Sequence, residues 1–181
     1  MFLKKMEDAE FLRVWEIMQD SFPPDERRPF DKQKALLTNP VYNIYVLCAE
    51  EVVLGFIALW KLENLAFLEH FAVAKEHRCK GLGSKLLNAV VSELDTPACL
   101  EVEPPCDDIT KRRVEFYKRN GFFLNEYPYI QPPLSEDQQA VPLMIMSSDS
   151  TLTKCEFDKT RDILYKEVYG FYGVDFSDLL C

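Results

Sequence analysis

Residues 71–90, FAVAKEHRCKGLGSKLLNAV, combine two glycines with several cations. The segment begins with apolar residues typical of a strand and ends with the apolar spacing of a helix, so Gly81 and Gly83 lie at a strand-to-helix junction. Glycine lets a ligand approach the main chain closely, and the first turn of a helix offers unpaired N–H groups at the positive end of its dipole. The pattern therefore predicts a phosphate-binding loop.

Two common phosphate-binding motifs do not fit this junction. The dinucleotide fingerprint G-x-G-x-x-G requires a third glycine at position 86, which is Leu86. The P-loop motif, G-x-x-x-x-G-K followed by Ser or Thr, matches none of the glycines in the chain. The pattern that remains is Arg78-x-x-Gly81-x-Gly83 between a strand and a helix.

The net charge of the chain is −9, which opposes nucleic acid as a partner because binding a polyanion requires a basic face. Two short segments are nevertheless basic. Residues 75–85 carry four cations and one carboxylate, and residues 111–119 carry five cations and one carboxylate. Such segments favour a compact anionic ligand, although two solvated helix faces would also explain them.

The composition also bears on redox state, metals and membranes. The six cysteines form no C-x-x-C pair and no His/Cys ligand spacing, so neither a disulfide framework nor a metal site is predicted. No run of 18 apolar residues occurs, and the amino terminus becomes acidic too early for a signal peptide. The sequence therefore predicts a cytoplasmic protein with reduced cysteines and no membrane partner.

Periodicity predicts an α/β (α+β) fold, with a mixed, mostly antiparallel central sheet flanked by helices. The predicted order is α-α-β-β-β-α-β-α-β-β-α. Asp31 is the predicted cap of the second helix, and Asp158 that of the last. A long loop is predicted at 127–142. The predicted helices are 7–22, 31–37, 82–94, 109–121 and 157–171, and the predicted strands are 42–49, 52–60, 65–73, 98–103, 122–126 and 142–148.

The junction resembles the acetyl-CoA signature of the GNAT superfamily of N-acetyltransferases, in which Gln or Arg is followed at fixed spacing by two small residues. A second segment, FYKRNGFF, resembles a later element of that family, in which a Tyr precedes a Gly-Phe pair by four residues, here Tyr117, Gly121 and Phe122. Both segments occur in the family's order. The chain thus resembles a bacterial-type small acetyltransferase, with a GNAT domain at 1–148.

The resemblance implies that acetyl-CoA is the acyl donor and that no metal takes part. In such enzymes the strand before the signature loop pairs with the pantetheine arm through its main chain. The loop binds the pyrophosphate through N–H groups, and here Arg78 and Lys80 would add positive charge. The residues implied to bind acetyl-CoA are Phe71, Ala72, Val73, Arg78, Cys79, Lys80, Gly81, Leu82, Gly83 and Ser84.

The family chemistry is direct attack of an amine on the thioester in a ternary complex. The departing thiolate must receive a proton, and the family places its Tyr beside the CoA sulfur, which implies that Tyr117 is the acid. From the residues alone, the favoured interpretation of Tyr117 is a core aromatic of an amphipathic helix. Many relatives carry Asn seven residues before this Tyr, where the present chain has Thr110.

The base is predicted from the strand AFLEHFAV. A protonated amine needs a base or a water path to remove its proton. Simple alternation puts Phe67, Glu69, Phe71 and Val73 on one face of the strand, and His70 on the other. Some family members carry Glu or His at the positions matching Phe67 or Glu69, which implies Glu69 as the base, directly or through water.

The aromatic neighbours of Glu69 predict a raised pKa for its carboxyl group. The alternatives that remain open are that Glu69 only orders the substrate or pairs with a cation, or that the base is Glu103 or Glu101 on the next strand.

The acceptor is implied only in outline. In this family it usually enters beside the first two helices, and the acidic residues of 21–30 and 129–142, Glu136 and Asp137 among them, favour a cationic acceptor. The prediction is a primary amine, either a small molecule or an amino terminus. A non-catalytic acyl-CoA-binding module is the alternative. The C-terminal extension, 149–181, is predicted to pack on the same domain or to form a homodimer contact.

Overall fold

The computed structural model describes residues 1–135 and 138–171, so Glu136, Asp137 and Cys181 lie outside the described residues. The chain forms two compact units, Met1–Ala98 and Cys99–Cys181. Each unit combines antiparallel strands with helices packed against them, which confirms the predicted fold class.

The first unit contains four strands in the order β1-β2-β3-β4, each antiparallel to its neighbour. Its apolar core includes helix α1, which turns Val14, Ile17 and Met18 inward at helical spacing. The strands are β1 Phe2–Lys5, β2 Tyr42–Ala49, β3 Val52–Lys61 and β4 Ala66–Val73, and the helices are α1 Phe11–Ser21, α2 Phe30–Ala35 and α3 Leu82–Val91.

The second unit has three antiparallel strands in the order β5-β7-β6. Strand β5 begins at the last residue of the first unit. The strands are β5 Ala98–Val102, β6 Phe122–Gln131 and β7 Val141–Ser148, and the helices are α4 Asp108–Arg119 and α5 Lys154–Glu167.

Helix α5 packs on β6 within the second unit. The rings of Tyr127 and Phe157 lie 4.9 Å apart, and the hydroxyl of Tyr165 donates a hydrogen bond to the carbonyl of Ile130. Thr153 caps the helix by accepting from the N–H of Glu156, so the predicted cap, Asp158, is wrong. A domain boundary at 148 stays a prediction.

Three further differences have local causes. Strand β1 was not predicted because FLKK has only four residues and two of them are lysines. Asp31 lies inside the first turn of α2 and Pro29 holds the cap position, so that predicted cap is wrong. Strand β6 runs on to Gln131 through the predicted loop, because it is the edge strand of its unit and Pro128 costs little there.

Candidate active site

The predicted phosphate loop is built around two left-handed residues. Gly81 caps α3 with φ = 73°, and Cys79 has φ = 61°. The first intrahelical bond is donated by the N–H of Lys85 to the carbonyl of Gly81. The N–H groups of Leu82, Gly83 and Ser84 precede it and have no carbonyl within the helix. The loop therefore presents several main-chain donors together at the end of a helix dipole.

The cations of this loop also hold it in place. The guanidinium of Arg78 donates from Nε to the carbonyl of Val73 at 2.9 Å and from Nη2 to Oγ of Ser21 at 2.9 Å. Lys80 Nζ donates to the carbonyl of Glu76 at 3.1 Å. Arg78 thus fixes the loop against the end of β4 and the end of α1, and Lys80 bonds to the turn that precedes it.

Strand β4 contains a β-bulge at Glu69. Leu68 pairs with Leu59 and His70 pairs with Ala58, which leaves Glu69 as the extra residue. A bulge reverses the alternation beyond it, because two residues then oppose one on the partner strand. The prediction that Glu69 shares one face with Phe67, Phe71 and Val73 is therefore wrong.

The carboxylate of Glu69 is buried against a cation, as one of its alternative roles predicted, but sequence reasoning missed the partner residue. Arg28, in the segment between α1 and α2, donates from Nη1 to Glu69 Oε1 at 2.6 Å, and the two side chains are 8% and 4% exposed. Burial by itself would raise the pKa of Glu69, but Arg28 and the neighbouring His70 lower it to about 2. The prediction of a raised pKa is thus wrong.

Further buried polar side chains surround this ion pair within the first unit. The guanidinium of Arg28 lies 5.7 Å from the ring centroid of Trp60, and Gln33 Nε2 donates to the hydroxyl of Tyr42 at 2.5 Å. His70 Nε2 lies 2.9 Å from the carbonyl of Glu26. The polar group therefore joins β2, β3 and β4 to the segment that follows α1.

The low pKa of Glu69 predicts a specific acid sensitivity. The ordinary carboxyl pKa of a glutamate is 4.5, and that of Glu69 in the folded protein is about 2, so the ionised pair stabilises the fold above pH 4.5. This contribution, on the order of 3 kcal/mol, should be lost as the pH falls through about 2. Urea unfolding of wild type and Glu69→Gln between pH 2 and 7 measures it. An identical pH dependence in both proteins would contradict the assignment.

In the second unit, Tyr117 lies on the buried face of α4. Its ring packs edge-on against Phe116 and Phe122, with centroids 5.2 and 6.0 Å away. Burial raises the pKa of the phenol to about 12, and Arg113 offsets a small part of that rise. The hydroxyl is therefore protonated throughout the physiological range, as a proton donor requires.

The side chain of Thr110 takes part in the cap of α4. The carboxylate of Asp107 accepts from the N–H groups of Ile109 and Thr110 at 2.8 Å each. In return, the N–H of Asp107 donates to the Thr110 hydroxyl at 3.1 Å. This reciprocal capping box fixes the start of the helix that carries Tyr117.

The other two candidate bases have partners within the second unit. Glu101 accepts hydrogen bonds from the hydroxyl groups of Tyr129 and Tyr169. Glu103 forms an exposed ion pair with Arg113. Glu101 therefore has a clear structural role in the unit, and Glu103 holds one of the cations of the basic segment 111–119.

The model of the Acetyltransferase (GNAT) family matches residues 11–122, more than half of the chain. The chain belongs to the GNAT acetyltransferase family. Over 112 residues it is 29% identical to YjbC of Bacillus subtilis (strain 168), a match covering 60% of this chain and 55% of YjbC. The chain thus spans about half the length of that relative.

Solved structures of GNAT proteins share the fold. A GNAT-family protein of Bacteroides thetaiotaomicron matches with a TM-score of 0.87 and 27% identity, over 95% of this chain and all of that one. A GNAT acetyltransferase of Elizabethkingia anophelis with acetyl-CoA bound matches with a TM-score of 0.60 and 12% identity, over 82% and 97% of the two chains. The second similarity shows the fold alone.

The described part of the chain comprises residues 1–135 and 138–171. That part of the chain brings no three His, Cys, Asp or Glu side chains together as a metal site. None of its helices is long and apolar enough to cross a membrane. The five cysteines among these residues are free thiols.

Proposed function

We propose that this GNAT protein is an N-acetyltransferase that moves the acetyl group of acetyl-CoA to a primary amine, either a small molecule or an amino terminus. One observation carries the proposal: the loop after β4 offers free helical N–H groups beside Arg78 and Lys80. An anionic pyrophosphate fits such donors, because hydrogen bonds to a charged group are stronger than those between neutral groups. A cytoplasmic location stays a prediction.

The donor side of the proposed site is residues 71–73 and 78–84. The main chain of Phe71, Ala72 and Val73 would pair with the pantetheine arm. The loop from Arg78 to Ser84 would bind the pyrophosphate through Cys79, Lys80, Gly81, Leu82 and Gly83. This assignment needs no reactive side chain in the loop, and Cys79 would take part only through its main chain.

Two side chains are proposed to handle protons. Tyr117 donates its phenolic proton to the departing thiolate. Glu69 accepts a hydrogen bond from the attacking amine, directly or through a water, and because its pKa is about 2 the proton that the amine loses passes through water to solvent. A carboxylate this weakly basic stays ionised, so its negative charge is always available to the acceptor.

Glu69→Gln tests the second role. Turnover should fall by roughly 10²-fold with acetyl-CoA affinity unchanged, because the charge that faces the amine is lost. The variant also leaves Arg28 buried without an anion and should lose about 3 kcal/mol of stability. Rates must therefore be measured where circular dichroism shows a folded protein. Glu63→Gln, at an exposed position, is the matched control, and wild-type turnover by Glu69→Gln would contradict the role.

A non-catalytic acyl-CoA-binding module is the second candidate. Burial of a protonated Tyr117 and of an ionised Glu69 favours the enzyme, because a binding module needs neither group. Release of CoA from acetyl-CoA across a panel of primary amines decides between them. Turnover with an amine supports the enzyme, and tight binding of acetyl-CoA without turnover supports the module.

A further inference from the structure

We propose that Arg28 is a positioning residue: by binding Oε1 of Glu69 it orients the carboxylate so that Oε2 accepts a hydrogen bond from the attacking amine or its water. The proposal rests on the proposed function, since it gives Glu69 a place in the acetyl transfer. Arg28 lies outside β4, and Oε2 is the carboxylate oxygen that would face the acceptor.

The two oxygens of Glu69 have different surroundings. Oε1 accepts from Arg28 Nη1 at 2.6 Å. Oε2 is buried and has no hydrogen-bond partner in the described structure. The polar atom that approaches it is His70 Nδ1, at 3.4 Å, which is likewise buried without a hydrogen-bond partner. A buried carboxylate oxygen in this state requires a donor, since native proteins rarely leave such groups unpaired.

The His70 ring supplies that donor only when both of its nitrogens carry a hydrogen. Its Nε2 lies 2.9 Å from the carbonyl of Glu26, and a carbonyl oxygen only accepts, so Nε2 carries the hydrogen. In the neutral ring, Nδ1 then presents a lone pair toward Oε2. The titratable and charged groups that act on Glu69 are therefore Arg28, His70 and, from β2, the phenol of Tyr42. When Nδ1 carries no hydrogen, an amine or water donor completes the set.

The β-bulge explains why Glu69 needs a positioning residue. As the extra residue of the bulge it has no partner on β3, so no cross-strand neighbour fixes its side chain. Arg28 supplies that constraint from the α1–α2 segment. Its guanidinium is itself held, being almost fully buried and lying over the Trp60 ring. A planar cation of this kind sets both the distance and the direction of the carboxylate.

A double-mutant cycle tests whether Arg28 acts through Glu69. Arg28→Gln should lower kcat/KM for the amine by roughly 10- to 100-fold, with acetyl-CoA affinity by calorimetry unchanged. In a Glu69→Gln background the same change should have no further effect on kcat/KM. Arg13→Gln, which breaks an exposed ion pair with Glu76, is the matched control and should leave turnover unchanged. Additive losses would overturn the proposal.

The pH profile separates positioning from mere structural support. Without Arg28, burial dominates and the pKa of Glu69 rises, so the acidic limb of kcat/KM should move to higher pH in Arg28→Gln. Arg28→Lys keeps the charge, should hold the limb near its wild-type position, and serves alone if Arg28→Gln does not fold. The proposal is overturned if the acidic limb of kcat/KM does not move in Arg28→Gln. It is also overturned if a folded Arg28→Lys protein raises that limb by more than one pH unit.

The outcomes also distinguish this proposal from the proposed function. If wild type acetylates no amine, the proposed function fails and takes the role of Oε2 with it. If wild type turns over and the cycle is additive, only the positioning role of Arg28 fails, and N-acetyl transfer stands.

Discussion

Gly83→Val should abolish the binding of acetyl-CoA while leaving the fold largely intact. Gly83 lies in the first turn of α3, among the N–H groups that precede the first intrahelical bond. A branched side chain there would cover the main-chain donors that we propose for the pyrophosphate. Losing several charge-assisted hydrogen bonds, each contributing about 1.5–3 kcal/mol, should raise Kd by more than roughly 100-fold.

Calorimetry with acetyl-CoA measures the effect. Asn88→Val is the matched control, because Asn88 is exposed on the same helix and the substitution introduces the same β-branched side chain away from the loop. The control should bind as wild type does. Wild-type affinity in a folded Gly83→Val protein would remove the loop from the proposed site.

Tyr117→Phe should lower turnover by roughly 10²-fold or more without weakening acetyl-CoA binding. The substitution keeps the ring that packs on Phe116 and Phe122 and removes only the hydroxyl. The lost interaction matters chiefly as negative charge develops on the sulfur, so kcat should fall while the Kd of acetyl-CoA does not change. Steady-state kinetics combined with calorimetry separate the two quantities.

Tyr165→Phe is the control for Tyr117→Phe. It removes another buried hydroxyl, the one that donates to the carbonyl of Ile130, and should cost about 1 kcal/mol of stability with turnover unchanged. The alkaline limb due to ionisation of Tyr117 should lie near pH 12, because burial raises the pKa of that phenol to about 12. A rate equal to wild type in Tyr117→Phe would mean that the thiolate leaves without this residue.

Local patterns in the sequence carried most of the fold. Strands β2 and β5 follow from apolar, β-rich runs, and the helix start at Leu82 follows from the glycines before it. Gly121 ends α4 with φ = 85°, as its position after the last helical turn predicts. These features depend on residues within one or two turns, so a single sequence contains the information that specifies them.

The predictions that were wrong concern features that depend on distant partners. The bulge at Glu69 is a matter of register between β3 and β4, and nothing in AFLEHFAV marks it. The predicted helix caps, Asp31 and Asp158, were wrong because Pro29 and Thr153 hold those positions. Strand β6 keeps Pro128 because it lies at the edge of its unit. Each outcome was decided by pairing or competition that a local pattern does not contain.

The sequence by itself indicated the family and predicted the phosphate loop, because both rest on residue types at short, fixed spacing. Only the tertiary structure decided the state of Glu69. Arg28 lies 41 residues away along the chain, yet its guanidinium is the ion-pair partner of the carboxylate. Burial alone would raise the pKa of that group, and contact with a buried cation lowers it instead. Such a reversal depends on a distance in space, which residue order does not fix.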